Sequence, residues 1–249
     1  FISASKTLKQ VQGEGQIDEH LALTAIGTIG DLVPLVGPNR VIAKYGLEAL
    51  NRTKRIGLSS LFEVANLLGK KIGTYEVGFL IAPRINASGR LTHALDALRL
   101  LCTKSETRAK ELANLLNETN LERQAILSQS SDHAITLATD DRKLLFIAHE
   151  SYHEGVIGLV AGRLVEKYYR PAIVISKGTI LSKASARSIS GFNIVEAIRN
   201  SSDLLVNVGG HPMAAGFTVE TEKLVLLEEK LRRHVDEVLP EKLLEKELT

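Results

Sequence analysis

A long stretch without glycine or proline divides this sequence of 249 residues into two parts of different character. Residues 104–139 contain neither residue type, and the run RAKELANLLNETNLERQAILSQ is rich in residues that favour helices. An unbroken helix here would be about 50 Å long at a rise of 1.5 Å per residue. That length exceeds what one small core needs, so the stretch predicts a helix that connects two domains.

The part before this helix is predicted to be helical. Residues 17–31 and residues 39–52 carry apolar side chains at helical spacing. Glycine-bearing turns separate them, and a Val-Pro break follows the first segment. These features indicate that residues 1–70 form helices joined by glycine-bearing turns.

The part after residue 140 has the pattern of a mixed α/β domain. The apolar runs KLLFIAH (143–149) and PAIVISK (171–177) are short and rich in β-branched residues, which predicts two strands. The helix-like segment 156–169 lies between them, and this order is typical of a βαβ unit with a parallel strand pair. A further strand is predicted over 179–188 and a helix over 221–239.

Composition excludes several classes of protein. The formal net charge is only +2, so any anion binding must come from a local patch, not from a strongly basic surface. A single cysteine, Cys102, excludes an intramolecular disulfide and a cysteine-based zinc cluster, and its apolar neighbours predict a buried thiol. No apolar run approaches the ~20 residues of a membrane span, and no signal peptide is evident, which predicts a cytoplasmic protein.

The segment GTIGDLVPL places one carboxylate, Asp31, between an apolar helix and a Val-Pro break. Asp31 is either a residue of the turn or a ligand to a hard divalent metal ion. One carboxylate cannot hold a metal by itself, so this segment alone favours the turn.

The segment PRINASGR is rich in hydrogen-bond donors. Pro83 and Gly89 predict a non-helical loop, which Arg84, Asn86 and Arg90 crowd with polar groups. Two guanidinium groups six residues apart suit a phosphate, whose oxygens they can bind in pairs. The alternative is a structural loop that arginine side chains hold in place.

Two further segments combine polar with very small residues. In SARS, strand alternation places Ser185 and Arg187 on one face, which is compatible with an anion. In GGHPMAAGF, Gly209 and Gly210 allow a close approach to the backbone, and His211 can donate a hydrogen bond to a phosphate. The alternative for the second segment is a tight turn with a satisfied histidine.

Together, and in this order, these segments resemble the RecJ family of single-strand-specific exonucleases, within the DHH phosphoesterase superfamily. GTIGDLVPL is similar to the last metal-binding motif of the DHH catalytic domain, and PRINASGR to a loop near the domain junction. GVIGLVAGRLVEKYYRPAIVIS, SARS and GGHPMAAGF resemble successive motifs of the DHH-associated domain. The implied fold is α/β. It comprises the helical C-terminal part of a DHH catalytic domain (1–103), a connector helix (104–139) and a DHH-associated domain with a mixed sheet (140–249).

The resemblance also has departures. The sequence has no DHH triplet and no Asp-x-Asp motif near its start, although the family carries both upstream of the matched segments. The OB-fold that many RecJ proteins carry after the associated domain is absent as well. The resemblance therefore implies a portion of a RecJ-like protein that lacks the N-terminal DHH motifs.

The implied activity is 5′-3′ hydrolysis of single-stranded DNA in repair and recombination, with two Mn²⁺ or Mg²⁺ ions that activate water and stabilise charge. The resemblance implies that Asp31 is a catalytic metal ligand. It implies that the nucleic-acid backbone or its 5′ end is held by Arg84, Asn86, Arg90, Ser185, Arg187, Gly209, Gly210 and His211. The implied partners are single-stranded DNA, a single-strand-binding protein and a helicase, with no membrane.

Two alternatives remain at this point. One is a non-catalytic single-strand-binding or scaffold protein of the same fold, and the other is a DHH-type phosphoesterase for short oligonucleotides. Asp31 favours an enzyme, and the long connector together with PRINASGR favours RecJ over the short-substrate enzyme. With one of several metal ligands present, this polypeptide is predicted to hydrolyse phosphodiesters poorly by itself.

Overall fold

The computed structural model describes residues 14–139 and 141–246. The chain divides into two compact units, Phe1–Arg123 and Gln124–Thr249, and the division falls inside one long helix. None of the helices formed by the described residues is both long and apolar enough to cross a lipid bilayer.

The first unit is made of helices in its described part. Their bounds are α1 Glu14–Gly30, α2 Gly37–Leu50, α3 Ile56–Val64, a π-helix Glu76–Ile81, α4 Ala82–Leu91, α5 Leu95–Cys102 and the beginning of α6 Glu106–Leu137. The two segments with helical spacing are α1 and α2, as predicted. Aliphatic side chains fill the core of this unit, among them Leu50, Leu61, Leu100 and Leu116.

The predicted loop at PRINASGR is wrong, because this segment forms helix α4. Pro83 lies in the first turn of α4, which continues directly from the π-helix Glu76–Ile81, and its fixed φ suits a helix. Gly89 lies near the other end, where the helix stops at Leu91. Neither residue breaks the helix, because a π-helical turn directly precedes the turn with Pro83 and Gly89 lies in the last turn of α4.

The prediction of a buried Cys102 is also wrong, because this thiol is exposed. Ala97 and Leu100 carry the buried face of α5. Cys102 follows Leu100 by two positions, which turns it about 200° around the helix axis and away from the core.

Helix α6 is unbroken over 32 residues, as its lack of glycine and proline predicts. Ser105 precedes it, and the Arg108 N–H donates to Ser105 Oγ at 3.3 Å, which satisfies one of the free N–H groups of the first turn.

The second unit contains a five-stranded sheet. Its elements after α6 are β1 Leu145–His149, α7 Ile157–Tyr168, β2 Ala172–Ser176, β3 Leu181–Arg187, α8 Ile194–Arg199, β4 Leu205–His211, β5 Ala214–Glu220 and α9 Leu224–Val238. The strand order is β1-β2-β3-β5-β4. The pair β1–β2 is parallel and the other pairs are antiparallel, so the predicted mixed sheet and its parallel pair are confirmed.

The two faces of this sheet have different surroundings. One face packs under α8 and α9, with Ile173, Ala186 and Phe217 in its core. On the other face, α7 packs over β2 and β3, and its core includes Val174 and Val160. Beyond α7, the second face continues across β5 and β4, where it is open to solvent.

Candidate functional site

The solvent-open face of the sheet is lined with polar and very small side chains. Directly paired residues share a face, and so do alternate residues of one strand. By this register three rows lie side by side: Lys183–Thr218–Asn207, Ser185–Gly216–Gly209 and Arg187–Ala214–His211. We call these nine residues the polar sheet face. It spans three strands, hence a width of about 10 Å at the usual strand spacing, and it contains no carboxylate.

Burial alternates along β3 and β5 as this arrangement requires. Ala186, Phe217 and Val219 point to the opposite face and are buried. Gly209, Gly216 and His211 are exposed. The structure thus brings together Ser185, Arg187, Gly209 and His211, four of the residues predicted to hold a substrate.

Gly209 has no structural need to be glycine. A Cβ added there would have no other atom within 4 Å, and one at Gly216 would make only an ordinary contact, 3.6 Å from the Ala184 carbonyl oxygen. The fold therefore tolerates side chains at both positions. Their absence leaves the backbone of β4 and β5 accessible to a ligand.

Gly210 is a glycine for a different reason. Its φ is +145°, a conformation that side chains resist. A Cβ there would lie 2.4 Å from the Ala214 carbonyl oxygen and 2.6 Å from the Ala215 Cα. The β4–β5 hairpin requires glycine at this position whether or not a ligand binds.

The Arg187 side chain is held in place on the polar sheet face. Its Nη1 donates to Ser185 Oγ at 3.2 Å and to the Ala186 carbonyl oxygen at 2.9 Å. The first turn of α7 lies against both side chains, since a Cβ at Gly158 would be 2.9 Å from Arg187 Nη2 and from Ser185 Oγ. A fixed guanidinium next to the positive end of a helix dipole favours anions.

The hairpin that carries His211 is anchored at its tip. The Ile194 N–H donates to the Pro212 carbonyl oxygen, and the Ser188 N–H donates to that of Met213, each at 3.0 Å. These bonds hold the tip against the segment that follows β3. His211 is therefore exposed on a fixed backbone.

Sequence reasoning missed five residues of this face: Lys183, Asn207, Ala214, Gly216 and Thr218. Lys183 could have been found, because it lies two positions before Ser185 on the same strand. Its ammonium group pairs with Glu154, and both side chains are more than half exposed. Asn207 was not accessible from the sequence, because β4 carries two glycines and lacks a strand pattern.

In the first unit, Asp31 is a turn residue at the end of α1. Its N–H donates to the Gly27 carbonyl oxygen at 3.0 Å, and its side chain is exposed. The end of α1 packs closely on the start of α4, since a Cβ at Gly30 would lie 2.8 Å from that of Ala82. Within residues 14–139 and 141–246, no three His, Cys, Asp or Glu side chains are grouped so as to hold a metal ion. The described residues therefore do not fit a metal site by themselves.

Arg84 is part of the internal bonding of the first unit. Its Nε donates to Asn117 Oδ1 at 3.0 Å and its Nη1 to the Leu80 carbonyl oxygen at 2.6 Å. Burial lowers the pKa of the Arg84 guanidinium below its usual value, although the group stays charged at neutral pH. Two residues six positions apart on a helix differ in direction by about 120° around the helix axis, so Arg84 and Arg90 point to different sides of α4. Asn86 and Arg90, four apart, share an exposed side of α4.

Comparison with known proteins finds a family model that matches the second unit. Residues 140–239 match the family model of the DHHA1 domain, which covers the sheet and its helices. The polar sheet face thus lies within the region that matches the DHHA1 model.

The relatives of the chain are single-stranded-DNA-specific exonucleases named RecJ. The protein of Bacillus subtilis is 43% identical over 234 residues, which are 90% of this chain and 29% of that protein. The proteins of Thermus thermophilus and Escherichia coli are 38% and 34% identical over 81% and 92% of the chain. The chain spans 29–42% of the length of these three relatives.

Solved structures agree with this relationship. The chain matches RecJ of Thermus thermophilus in complex with Mg²⁺ with a TM-score of 0.82 and 34% identity, over 88% of this chain and 35% of that one. An exonuclease RecJ bound to manganese matches with a TM-score of 0.79 over 90% of this chain and 56% of that one. The predicted resemblance is therefore confirmed, and the chain is related to part of the RecJ exonucleases over most of its own length.

Proposed function

We propose that this chain binds single-stranded DNA on the polar sheet face, as part of a RecJ-like 5′-3′ exonuclease. The observation that carries this proposal is the bare, exposed Gly209 on the same sheet face as the anchored Arg187 guanidinium. A strand of nucleic acid can approach the backbone of β4 and β5 closely there, while a fixed cation meets its phosphates. Charge-assisted bonds of this kind are the stronger hydrogen bonds in proteins.

Each predicted residue receives a role in this proposal. Ser185, Arg187 and His211 contact phosphate or the 5′ end, Gly209 leaves room for it, and Gly210 shapes the hairpin. Asn86 and Arg90 contact the strand from the exposed side of α4, and Arg84 supports that helix.

The remaining parts of the proposal come from the resemblance to RecJ. Asp31 supplies one ligand of a Mn²⁺ or Mg²⁺ site whose other ligands lie outside the described residues. Metal bound there would activate water and stabilise charge on phosphorus. The proposal also includes two protein partners, a single-strand-binding protein and a helicase, and a cytoplasmic location.

Two substitutions on the polar sheet face test the binding site. Arg187→Met removes the guanidinium, and Gly209→Val places a branched side chain where the strand would lie. We expect Arg187→Met to weaken binding of a 5′-phosphorylated 15-nucleotide oligothymidine by about 10-fold or more, the value of one charge-assisted hydrogen bond. We expect Gly209→Val to weaken it as well, because the new side chain blocks the close approach to the backbone. Fluorescence anisotropy measures the affinity at a fixed salt concentration.

Arg199→Met is the matched control. Arg199 lies in α8, which packs on the opposite face of the sheet, and its substitution removes the same charge. Its affinity should stay within about 2-fold of the parent, because a distant charge is screened over roughly 8–10 Å at physiological salt. Equal binding by the parent, Arg187→Met and Gly209→Val would show that the strand does not bind here.

A second candidate function is single-strand binding without cleavage. The lack of a metal-ligand cluster among the described residues favours it for this polypeptide. With Mn²⁺ present, we expect the 249-residue chain to bind a labelled single strand and leave it intact, under conditions in which a full-length RecJ degrades it. Manganese-dependent degradation on a gel would contradict this expectation.

A further inference from the structure

Two aromatic rings stack on each other at the surface of the first unit. Tyr75 and Phe79 have ring centroids 5.0 Å apart and an angle of 26° between their planes. Tyr75 is 61% exposed and Phe79 67% exposed. Large apolar rings usually pack in a core, so an exposed pair indicates a surface that another molecule covers.

The segment that carries the rings is held firmly. Phe79 lies in the π-helix Glu76–Ile81, a rare form that often occurs at functional sites. Val77 and Ile81 of the same π-helix are buried in the core and fix its inner side. The outer side beside Gly78 is open, because a Cβ there would have no other atom within 4 Å.

The residues just before the rings are fixed as well. The Asn51 side chain accepts from the Ile72 N–H and donates to the Ile72 carbonyl oxygen, each at 2.8 Å. The Gly73 N–H donates to Glu76 Oε2 at 2.8 Å, so one oxygen of this carboxylate already has a hydrogen-bond partner. The rings are therefore presented by a rigid backbone, at little further ordering cost when a ligand binds.

Positive charge accompanies the rings. Lys70 and Lys71 are exposed and precede Tyr75 by five and four residues respectively, a separation of at most about 18 Å along the chain. Glu76 is the one acidic residue of segment 68–79. Exposed rings beside cations are the combination that binds single strands without sequence preference, because every base has a face to stack and every nucleotide a phosphate.

We propose that Tyr75 and Phe79 form a stacking platform for an unpaired base of single-stranded nucleic acid, with Lys70 and Lys71 on the adjoining phosphates. This inference rests on the proposed function and adds a second contact area, in the first unit. It commits to a nucleic-acid occupant, because an apolar protein surface would not require the two lysines.

The test compares strands with and without bases. Phe79→Ala and Tyr75→Ala are expected to weaken binding of the oligothymidine about 5-fold or more, the lower end of what one stacked base contributes. Neither should change the affinity for an abasic strand of the same length. Phe79→Trp, which keeps a flat ring, should bind the oligothymidine as tightly as the parent. Leu68→Ala, which removes an exposed aliphatic side chain 59% accessible to solvent, is the control and should have no effect.

The outcomes separate this inference from the function on which it rests. If Phe79→Ala binds the oligothymidine like the parent while Arg187→Met binds it weakly, the platform is wrong and the proposed function stands. Equal weakening for both strands by Phe79→Ala would also overturn the platform. If the parent binds neither strand, both proposals fail.

Discussion

Two adjacent glycines illustrate how differently the same residue type can act. Gly209 has open space around it, whereas Gly210 has a positive φ and lies against the backbone of β5. The sequence shows only a Gly-Gly pair before His211, and it predicts a close backbone approach for both. Which glycine serves the ligand and which serves the hairpin depends on the φ of each, and local sequence does not encode that difference.

At this scale we predict that Gly210→Ala destabilises the protein and Gly209→Ala does not. The first forces a methyl group into β5 at an unfavourable φ, which should lower the free energy of unfolding by about 2 kcal/mol or more. The second should change it by less than about 0.5 kcal/mol. Urea denaturation followed by circular dichroism measures both values. Equal stability of the two variants would mean that the hairpin does not need a glycine at position 210.

Arg84 shows what the sequence can and cannot give for a candidate site. The several hydrogen-bond donors in PRINASGR indicate that Arg84 makes polar contacts, either with a ligand or within the fold. Its hydrogen-bond partner, Asn117, lies 33 residues further along the chain in α6. Such a pairing depends on how helices pack, so the alternative of a structural arginine could not be settled from the segment alone.

At the scale of elements, the spacing of apolar residues predicts those helices and strands that keep one spacing over their whole length. The strands β1 and β2, and helices α6, α7 and α9, lie where their apolar spacing predicts them. Each has a continuous pattern that tertiary packing reinforces. Helix α8 has a local start signal, because Asn193 caps it by accepting from the Glu196 N–H at 3.4 Å.

The missed elements have mixed signals. In α4, proline and glycine count as helix breakers, although their positions near the two ends are compatible with a helix. Strand β4 has two glycines that weaken its pattern, and its pairing with β5 supplies what its own sequence lacks. The π-helix inserts an extra residue into a helical turn, which apolar spacing over six residues does not reveal.

At the scale of the whole molecule, the second compact unit begins before the match to the DHHA1 domain. The match starts at residue 140 and the unit at Gln124. Leu127 and Ala134 of α6 are buried in the same core as Ile147 and Val160. The end of the long helix is therefore part of this unit's core.

We predict that a fragment of residues 124–249 folds cooperatively and that a fragment of residues 140–249 is much less stable. The shorter one lacks Leu127, Ala134 and the hydrogen bond between His133 Nδ1 and Tyr152 Oη at 2.9 Å. Their loss should cost about 3 kcal/mol or more. Thermal unfolding by circular dichroism compares the fragments.

Leu127→Ala in the longer fragment removes part of the same contact, with an expected loss of about 2 kcal/mol or more from a cavity in the core. If residues 140–249 unfold at the same temperature as residues 124–249, the helix end does not contribute to this core.

Strand β4 is also the outer edge of the sheet, and that position bears on how copies of the protein behave at high concentration. Exposed edge strands can pair with those of other copies and aggregate, and many proteins prevent this with charged side chains. The sequence of β4, LVNVGGH, contains none of Asp, Glu, Lys or Arg. The β4–β5 ladder has a register irregularity between Leu205 and Asn207, and Gly210 has a φ of +145° while it stays paired with Ala215. The bulge and the strained φ of Gly210 depart from the flat geometry that edge-to-edge pairing needs, so this strand is a poor template for a second copy.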